Sequence, residues 1–151
     1  MKEKLLISAC LLGRACRYDG RSVKAVDYDA LSKKYELIPI CPEVDGGLPT
    51  PRTPSERVGD RVLMKDGHDV TENYMRGAVH AYNLAAESGA RLALLKERSP
   101  SCGKNRIYDG TFSGTLTDRD GVTAEYLKAR GIEVYGESEV EKLLDNEKVL
   151  C

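Results

Sequence analysis

Four short apolar runs alternate with helical segments along the chain, and this alternation restricts the fold more than any other feature. The apolar runs occupy residues 5–9, 36–40, 91–96 and 132–135. Apolar residues with helical spacing occur over 25–35, 72–88 and 123–130, and a last helix begins after Ser138. Parallel strands need long crossover connections, which are usually helices. The order therefore predicts an α/β fold with a Rossmann-like open, mostly parallel sheet of about four strands and helices on both faces.

Prolines, glycines and capping residues refine this outline. Pro39 lies inside the second apolar run and predicts an edge strand, because proline cannot donate to the hydrogen-bond ladder of a central strand. Residues 61–64 and the turn at Asp66-Gly67 predict a small hairpin. Thr71 is predicted to cap the helix over 72–88. The apolar positions of that helix predict a buried face formed by Met75, Ala78, Val79, Tyr82, Leu84, Ala85 and Ala86.

Composition excludes several classes of protein. With 151 residues, of which 41% are hydrophobic and 31% charged, the chain is predicted to form a single folded domain over residues 1–151. A net charge of -1 gives no long-range field, so no bulk nucleic-acid partner is expected. No apolar run approaches the ~20 residues that span a bilayer, and the N-terminal run is too short for a secretory signal. A cytoplasmic location without a membrane partner is therefore expected.

The chain contains five cysteines, an odd number that argues against a simple disulfide framework. In a reducing compartment, patterned thiols are more often metal ligands or catalytic groups than disulfides. We interpret Cys151, at the C-terminus, as a residue without a functional role.

Three of the cysteines follow predicted strands. Cys10 directly follows the first apolar run, Cys41 directly follows the second, and Cys102 lies in the loop after the third. Ligands of open parallel sheets bind beyond the carboxyl ends of the strands. The three thiols are therefore expected to meet at one edge of the sheet.

Three thiolates suit two kinds of metal centre. They could hold zinc with an open fourth position, although structural zinc sites usually have four ligands. Soft sulfur ligands suit an iron–sulfur cluster equally well, and neither His68 nor His80 is expected to be a ligand. A four-iron cluster held by three cysteines leaves one iron open to act on a substrate as a Lewis acid. Cys16 could complete a set of four ligands, act as a second thiol, or only pack.

Polar residues beside two of these cysteines are candidates for catalysis. Glu43 lies two residues beyond Cys41 and could serve as a general acid or base, or could be a solvated loop carboxylate. Ser99 and Ser101 lie just before Cys102. Their hydroxyl groups could orient a substrate, or could only satisfy the backbone of the turn.

Three arginines, Arg14, Arg17 and Arg52, are predicted to lie in loops at the same edge. They are candidates for substrate binding, because a guanidinium group can bind a phosphate or balance the negative charge of a cluster; surface solvation is the alternative. A thiolate phosphatase is disfavoured, since its phosphate loop needs an arginine six residues after the cysteine. Here the sixth residue after Cys10 is Cys16.

Several ordered motifs resemble the thiouracil desulfidase family, long catalogued as a domain of unknown function, over nearly the whole chain. The motifs occupy residues 8–13, 16–20, 41–44, 46–48, 51–52 and 95–103. The resemblance implies a [4Fe-4S] cluster held by three cysteines, which correspond to Cys10, Cys41 and Cys102, with one open iron. It also implies a required glutamate, which corresponds to Glu43, and a required serine, which corresponds to Ser99 or Ser101.

The resemblance further implies thiolated pyrimidines as substrates, of the 2-thiouracil or 4-thiouridine monophosphate type. The expected reaction is a non-redox hydrolysis in which a thiocarbonyl and water give the oxo base and hydrosulfide. Glu43 would activate the water or relay a proton. Expected partners are the small thiolated pyrimidine and the cluster-assembly machinery. The alternative is a non-catalytic metal-binding or redox-sensing thiol module that uses Cys10, Cys16, Cys41 and Cys102.

Overall fold

The computed structural model describes residues 2–13 and 27–144, so that Arg14, Cys16, Arg17 and Cys151 lie outside the described residues. The strands are β1 (Glu3–Ser8), β2 (Tyr35–Ile40), β3 (Ser55–Val58), β4 (Arg61–Met64), β5 (Leu92–Leu95), β6 (Arg106–Tyr108), β7 (Leu116–Asp118) and β8 (Glu133–Gly136). The α-helices are α1 (Tyr28–Lys34), α2 (Pro42–Asp45), α3 (Thr71–Ser88), α4 (Val122–Ala129) and α5 (Val140–Leu144). Among the described helices, none combines the length and the apolar composition that crossing a membrane requires.

The central sheet contains four parallel strands in the order β2-β1-β5-β8. β1 lies between β2 and β5, with Leu5 opposite Leu37 on one side and Leu92 on the other. The prediction of an open, mostly parallel sheet is therefore confirmed. β2, which contains Pro39, is an outer strand, as the proline predicted.

Alternate side chains of the central strands pack against opposite layers of helices, because successive residues of a strand point to opposite faces. Leu6 and Ala93 belong to a cluster with residues of α3 and α4, whereas Leu5 and Leu94 belong to a cluster with residues of α1 and α5. Burying one leucine side chain fully contributes about 1.5–3 kcal/mol relative to leaving it exposed. The predicted helices on both faces are thus confirmed.

The buried face of α3 differs from the predicted face. Met75 and Val79 are 42% and 37% exposed. The residues that α3 buries are Tyr74, Gly77, Ala78, Ala81 and Ala85. The cause is the close approach of α2, since a Cβ atom at Gly77 would lie 1.9 Å from the carbonyl oxygen of Pro42. Gly77 faces α2, and the larger Met75 and Val79 lie on the exposed side of the helix.

Thr71 does not cap α3 but is its first residue, and Val70 occupies the N-cap position. The Thr71 hydroxyl donates to Asp69 Oδ1 at 2.6 Å and accepts from the Val62 backbone N–H at 2.8 Å. This side chain therefore ties the start of the helix to β4 instead of satisfying the helix's own N–H groups.

Two antiparallel hairpins lie outside the central sheet. In the first, β4 pairs with the preceding β3, with Arg57 opposite Val62. The predicted hairpin over 61–64 is also present, because the chain reverses at Asp66-Gly67: Leu63 forms an antiparallel bridge with Asp69, and the Met64 N–H donates to the His68 carbonyl oxygen at 2.8 Å. The pairing of β4 with the preceding β3 was not predicted. The second hairpin, β6–β7, was not predicted, because its strands have only three residues each.

Candidate active site

Three cysteines line one cavity of about 550 Å³ at the carboxyl ends of the sheet strands. Cys10 lies in the 3₁₀ helix Ala9–Leu12 that directly follows β1, and Cys41 is the N-cap residue of α2, directly after β2. Cys102 lies in the loop after β5. Cys10 and Cys102 are buried and Cys41 is half-buried. The structure thus brings together the three thiols that the strand ends predicted.

The strand order explains why the cavity lies at this position. β1 leads through α1 to β2 on one side of the sheet, whereas β5 leads through α4 to β8 on the other side. The chain segments that follow β1 and β5 therefore diverge, and they leave a crevice at the topological switch point, which is where open α/β sheets bind ligands.

Cys102 occupies the most shielded position of the three thiols. Burial, with smaller contributions from the nearby Cys41 and Glu43, raises the pKa of the Cys102 thiol to about 12, although hydrogen bonding to Ser8 and Ser101 acts in the opposite direction. Metal ligands must be thiolates, so binding of a metal centre here would release a proton from Cys102.

The loop that carries Cys102 is held by the Ser99 side chain. The Ser99 hydroxyl oxygen accepts hydrogen bonds from the backbone N–H groups of Ser101 and Cys102, each at 3.0 Å. Gly121 packs against the same loop, where a Cβ atom would lie 2.5 Å from the Ser101 carbonyl oxygen. The positions of Ser99 and Cys102 are therefore fixed relative to each other.

Glu43, in the first turn of α2, faces Ser99 across the cavity wall. Glu43 Oε1 accepts hydrogen bonds from the Tyr74 hydroxyl at 2.9 Å and from Arg52 Nε at 3.1 Å, and Arg52 Nη2 lies 3.1 Å away. Glu43 Oε2 accepts from the Ser99 hydroxyl at 3.4 Å. The Glu43 side chain is only 16% exposed, so it is not a solvated loop carboxylate.

The two candidate serines differ in their surroundings. Ser99 lines the cavity. Ser101 is 0% exposed, and its hydroxyl forms a 2.8 Å hydrogen bond with that of Thr123 at the start of α4. Only Ser99 has its hydroxyl group within hydrogen-bond distance of Glu43.

Arg52 lines the cavity, yet its side chain is only 3% exposed. Besides Glu43, its guanidinium group contacts the carbonyl oxygen of Pro49 and the hydroxyl of Thr50, both at 3.1 Å from Nη1. The structure therefore places this candidate substrate-binding arginine against the carboxylate of Glu43. Arg14 and Arg17 lie outside the described residues.

A family model described as 2-thiouracil desulfurase matches residues 5–139. The chain belongs to this family. The uncharacterized protein YbbK of Bacillus subtilis (strain 168) is 39% identical over 150 residues, which cover 93% of this chain and 99% of YbbK. The solved structure of the [4Fe-4S]-dependent thiouracil desulfidase TudS is 46% identical and superposes with a TM-score of 0.92, covering 99% of this chain and 100% of TudS. The predicted family membership is confirmed.

The donor set of this member of the 2-thiouracil desulfurase family fits an iron–sulfur cluster. No group of three or more Cys, His, Asp or Glu side chains that could hold a metal ion occurs within residues 2–13 and 27–144. A four-iron cluster is larger than a single ion, so its ligands stand farther apart. Three thiols around a cavity of about 550 Å³, which neither His68 nor His80 lines, are the soft ligands that such a cluster takes.

Several residues that line the cavity were missed by the sequence interpretation. They are Lys65, Tyr74, Arg98, Tyr108 and Phe112. Tyr74 could have been found from its position one helical turn before Ala78 on the buried face of α3. The others lie in loops or on short hairpin strands, where apolar periodicity gives no signal.

Proposed function

We propose that residues 1–151 form a single [4Fe-4S]-dependent desulfidase domain that converts thiolated pyrimidines and water into the oxo base and hydrosulfide. The observation that carries this proposal is the shared cavity, which three thiols, the carboxylate of Glu43 and the hydroxyl of Ser99 all line. Membership of the 2-thiouracil desulfurase family and the similarity to TudS support the same reaction.

In this proposal, Cys10, Cys41 and Cys102 hold the cluster and leave one of its irons without a protein ligand. When bound, such a cluster supplies a Lewis acid that takes a soft thione sulfur and polarises the adjacent carbon. The burial of Cys10 and Cys102 supports this assignment, because shielding from water protects a cluster site.

Glu43 Oε2 is the atom proposed to accept a proton from the attacking water. Glu43 Oε1 accepts from Tyr74 and lies within 3.1 Å of two nitrogen atoms of Arg52, whereas Oε2, among the described residues, has one hydrogen bond, from the Ser99 hydroxyl at 3.4 Å. The proton leaves water as its oxygen bonds to the carbon, and it can return to the departing sulfur or to the ring nitrogen. The reaction needs no electron donor, because water replaces sulfide without a change in oxidation state.

Ser99 is proposed to act on the substrate side of the cavity, and Ser101 to hold the loop. Two backbone N–H groups donate to the Ser99 oxygen, so the hydroxyl hydrogen remains available for Glu43 Oε2. This arrangement fixes the direction of the hydroxyl group. Ser101 instead bonds to Thr123 inside the core.

Two positively charged side chains at the cavity favour a substrate that carries a phosphate group. Lys65 and Arg98 line the cavity and are exposed. Neither side chain has a hydrogen bond or ion pair with any residue that the structure describes. Unpaired cations at the mouth of a cavity attract anions, so we propose that they bind the phosphate of a substrate of the 4-thiouridine monophosphate type. Arg52 is assigned to holding Glu43.

The remaining expectations belong to the same proposal. If the protein holds a [4Fe-4S] cluster, the cluster-assembly machinery is a partner. A cytoplasmic location and the absence of a bulk nucleic-acid partner stay predictions. The alternative of a closed four-cysteine module depends on Cys16, which lies outside the described residues.

The decisive experiment is anaerobic cluster reconstitution followed by an ultraviolet assay. The full-length protein is loaded, and the loss of thione absorbance is measured with 2-thiouracil and with 4-thiouridine monophosphate, without a reductant. We expect one hydrosulfide per thione lost, and no reaction with cluster-free protein. A fully loaded protein that leaves both thiones intact would refute the proposed function.

A further inference from the structure

Phe112, the one phenylalanine of the chain, lines the cavity in an unusual backbone conformation. It lies in the loop between β6 and β7 with a φ angle of 55°. Bulky L-residues rarely adopt positive φ, so such a residue at a cavity wall marks a position that the surrounding structure enforces.

The conformation of the loop between β6 and β7 is stabilised by a buried carboxylate, Glu56, of the β3–β4 hairpin. Glu56, on β3, is only 8% exposed, and its Oε1 accepts the backbone N–H groups of Gly110 at 2.9 Å and Phe112 at 3.2 Å. Gly110 also approaches β3 closely, since a Cβ atom there would lie 2.6 Å from the Arg57 carbonyl oxygen. The position of Phe112 is therefore tied to β3, which is itself part of the cavity wall.

The aromatic ring of Phe112 has no place in the packing of the fold. Among the described residues, four apolar clusters form the core, and neither Phe112 nor its cavity neighbour Tyr108 belongs to any of them or packs against them. Both residues line the same cavity as Glu43 and Cys102. Because the Phe112 ring lines the cavity and does not pack in the core, it is available to contact a ligand.

We propose that Phe112 is a substrate-binding residue that stacks on the pyrimidine ring of the substrate. The inference rests on the proposed function, because it places the substrate in the same cavity. Stacking on an aromatic side chain accepts any planar base, so Phe112 would select the ring and hold its plane, while Glu43 and Ser99 act at the reacting carbon. This assigns the β6–β7 hairpin to substrate binding.

The test compares three substitutions of Phe112 in the full-length, anaerobically loaded protein. Phe112→Tyr keeps an aromatic face, Phe112→Leu keeps apolar volume without one, and Phe112→Ala removes both. Arg106→Ala is the matched control, because Arg106 lies on the same hairpin with a side chain that is 63% exposed and does not line the cavity. Iron per chain and the thermal midpoint check loading and folding.

Two quantities are measured for each variant: the Kd of the product uracil by equilibrium dialysis, and KM and kcat for 2-thiouracil. In the leucine and alanine variants we expect Kd and KM to rise by about 5- to 150-fold, the range of base–aromatic stacking, with little change in kcat. The tyrosine and control variants should resemble the wild type.

The outcomes separate this inference from the proposed function. Unchanged uracil binding in Phe112→Leu, or no uracil binding by the wild type, would overturn the stacking assignment. A loaded wild type that binds uracil but does not consume thione would refute the proposed function, while weaker binding by Phe112→Leu would still support stacking.

Discussion

The phenol of Tyr74 donates a 2.9 Å hydrogen bond to Oε1 of Glu43. Tyr74 is only 1% exposed, and burial, followed by the nearby Glu43 carboxylate, raises the pKa of its hydroxyl well above the usual value. The phenol is therefore a permanent donor over the whole range in which the protein would work. Since α2 packs on α3 through Gly77, the helix that carries Tyr74 also sets the position of Glu43.

Tyr74→Phe is expected to weaken the positioning of Glu43 without removing the cluster. A hydrogen bond to a charged group contributes about 1.5–3 kcal/mol, so we expect a loss of that order in unfolding free energy. We also expect a lower single-turnover rate at unchanged iron content. Tyr82→Phe is the matched control, because Tyr82 lies on the same helix and its hydroxyl has no hydrogen bond to any described residue. Equal rates in the two variants would remove Tyr74 from the positioning of Glu43.

The three cavity cysteines are expected to be the cluster ligands. Changing Cys10, Cys41 or Cys102 to serine should abolish stable cluster binding and turnover, because a hard hydroxyl replaces a soft thiolate. Cys16→Ala and Cys151→Ser should keep iron and sulfide per chain near the wild-type values. Iron analysis after anaerobic reconstitution checks all five variants. Full iron in Cys41→Ser, or loss of half the iron in a folded Cys16→Ala protein, would contradict this ligand set.

Ser99→Ala is expected to lower turnover, whereas Ser101→Ala is expected to lower stability. Removing the Ser99 hydroxyl takes a donor from Glu43 Oε2, so turnover per loaded cluster should fall. Removing the Ser101 hydroxyl leaves the buried hydroxyl of Thr123 unpaired, which should lower the unfolding free energy by about 1–3 kcal/mol. Denaturant unfolding and single-turnover kinetics of both variants measure this contrast. A larger rate loss in Ser101→Ala than in Ser99→Ala would reverse the assignment.

The central sheet and the meeting of the thiols could be predicted because both depend on local sequence. β5 and residues 5–7 of β1 are continuous buried apolar runs, and the residues that follow parallel strands must lie at one edge. Cys10, Cys41 and Cys102 could therefore be placed in one site without any knowledge of side-chain contacts.

The features of the fold and the site that could not be predicted depend on contacts between segments distant in sequence. The face that α3 buries is set by the close approach of Gly77 to Pro42, so helical periodicity alone pointed to Met75 and Val79. The contact of Arg52 with Glu43 depends on the loop between α2 and β3. The position of Phe112 depends on the carboxylate of Glu56. Propensities of single segments contain none of this information.

Lys65 and Arg98 are expected to distinguish a nucleotide from a free base. In Lys65→Gln and Arg98→Asn, KM should rise for 4-thiouridine monophosphate and stay unchanged for 2-thiouracil. Asparagine is chosen because Arg98 has a φ angle of 68°, which asparagine tolerates. Exposed ion pairs contribute about 0.2–1 kcal/mol each, so the double variant should raise KM by roughly two- to thirtyfold.

Two controls accompany the phosphate prediction. Lys33→Gln removes one exposed positive charge on α1, away from the cavity lining, and should leave both KM values unchanged. Added salt should weaken the nucleotide preference of the wild type, because exposed charges are screened. An equal rise in KM for the base and the nucleotide would show that the two cations do not bind the phosphate.

Glu43→Gln is expected to abolish most of the turnover while the cluster remains bound. Glutamine preserves the shape of the side chain and can still accept from Tyr74 and Arg52, but it cannot take a proton from water. General acid–base catalysis is typically worth about 10² to 10⁴ in rate, and we expect a loss in that range. Glu72→Gln, an exposed position in the first turn of α3, is the matched control.

Iron per chain and single-turnover desulfurisation, measured on the same anaerobic sample, distinguish the possible functions of Glu43. A structural function would lower iron content and rate together, because glutamine weakens the ion pair of Glu43 with Arg52, and that ion pair would then be what holds α2 and the adjoining Cys41 in place. A catalytic function lowers the rate alone. An unaltered rate in Glu43→Gln would mean that the proton is moved by another group of the cavity, and Ser99, at 3.4 Å from Glu43 Oε2, is the first residue to substitute next.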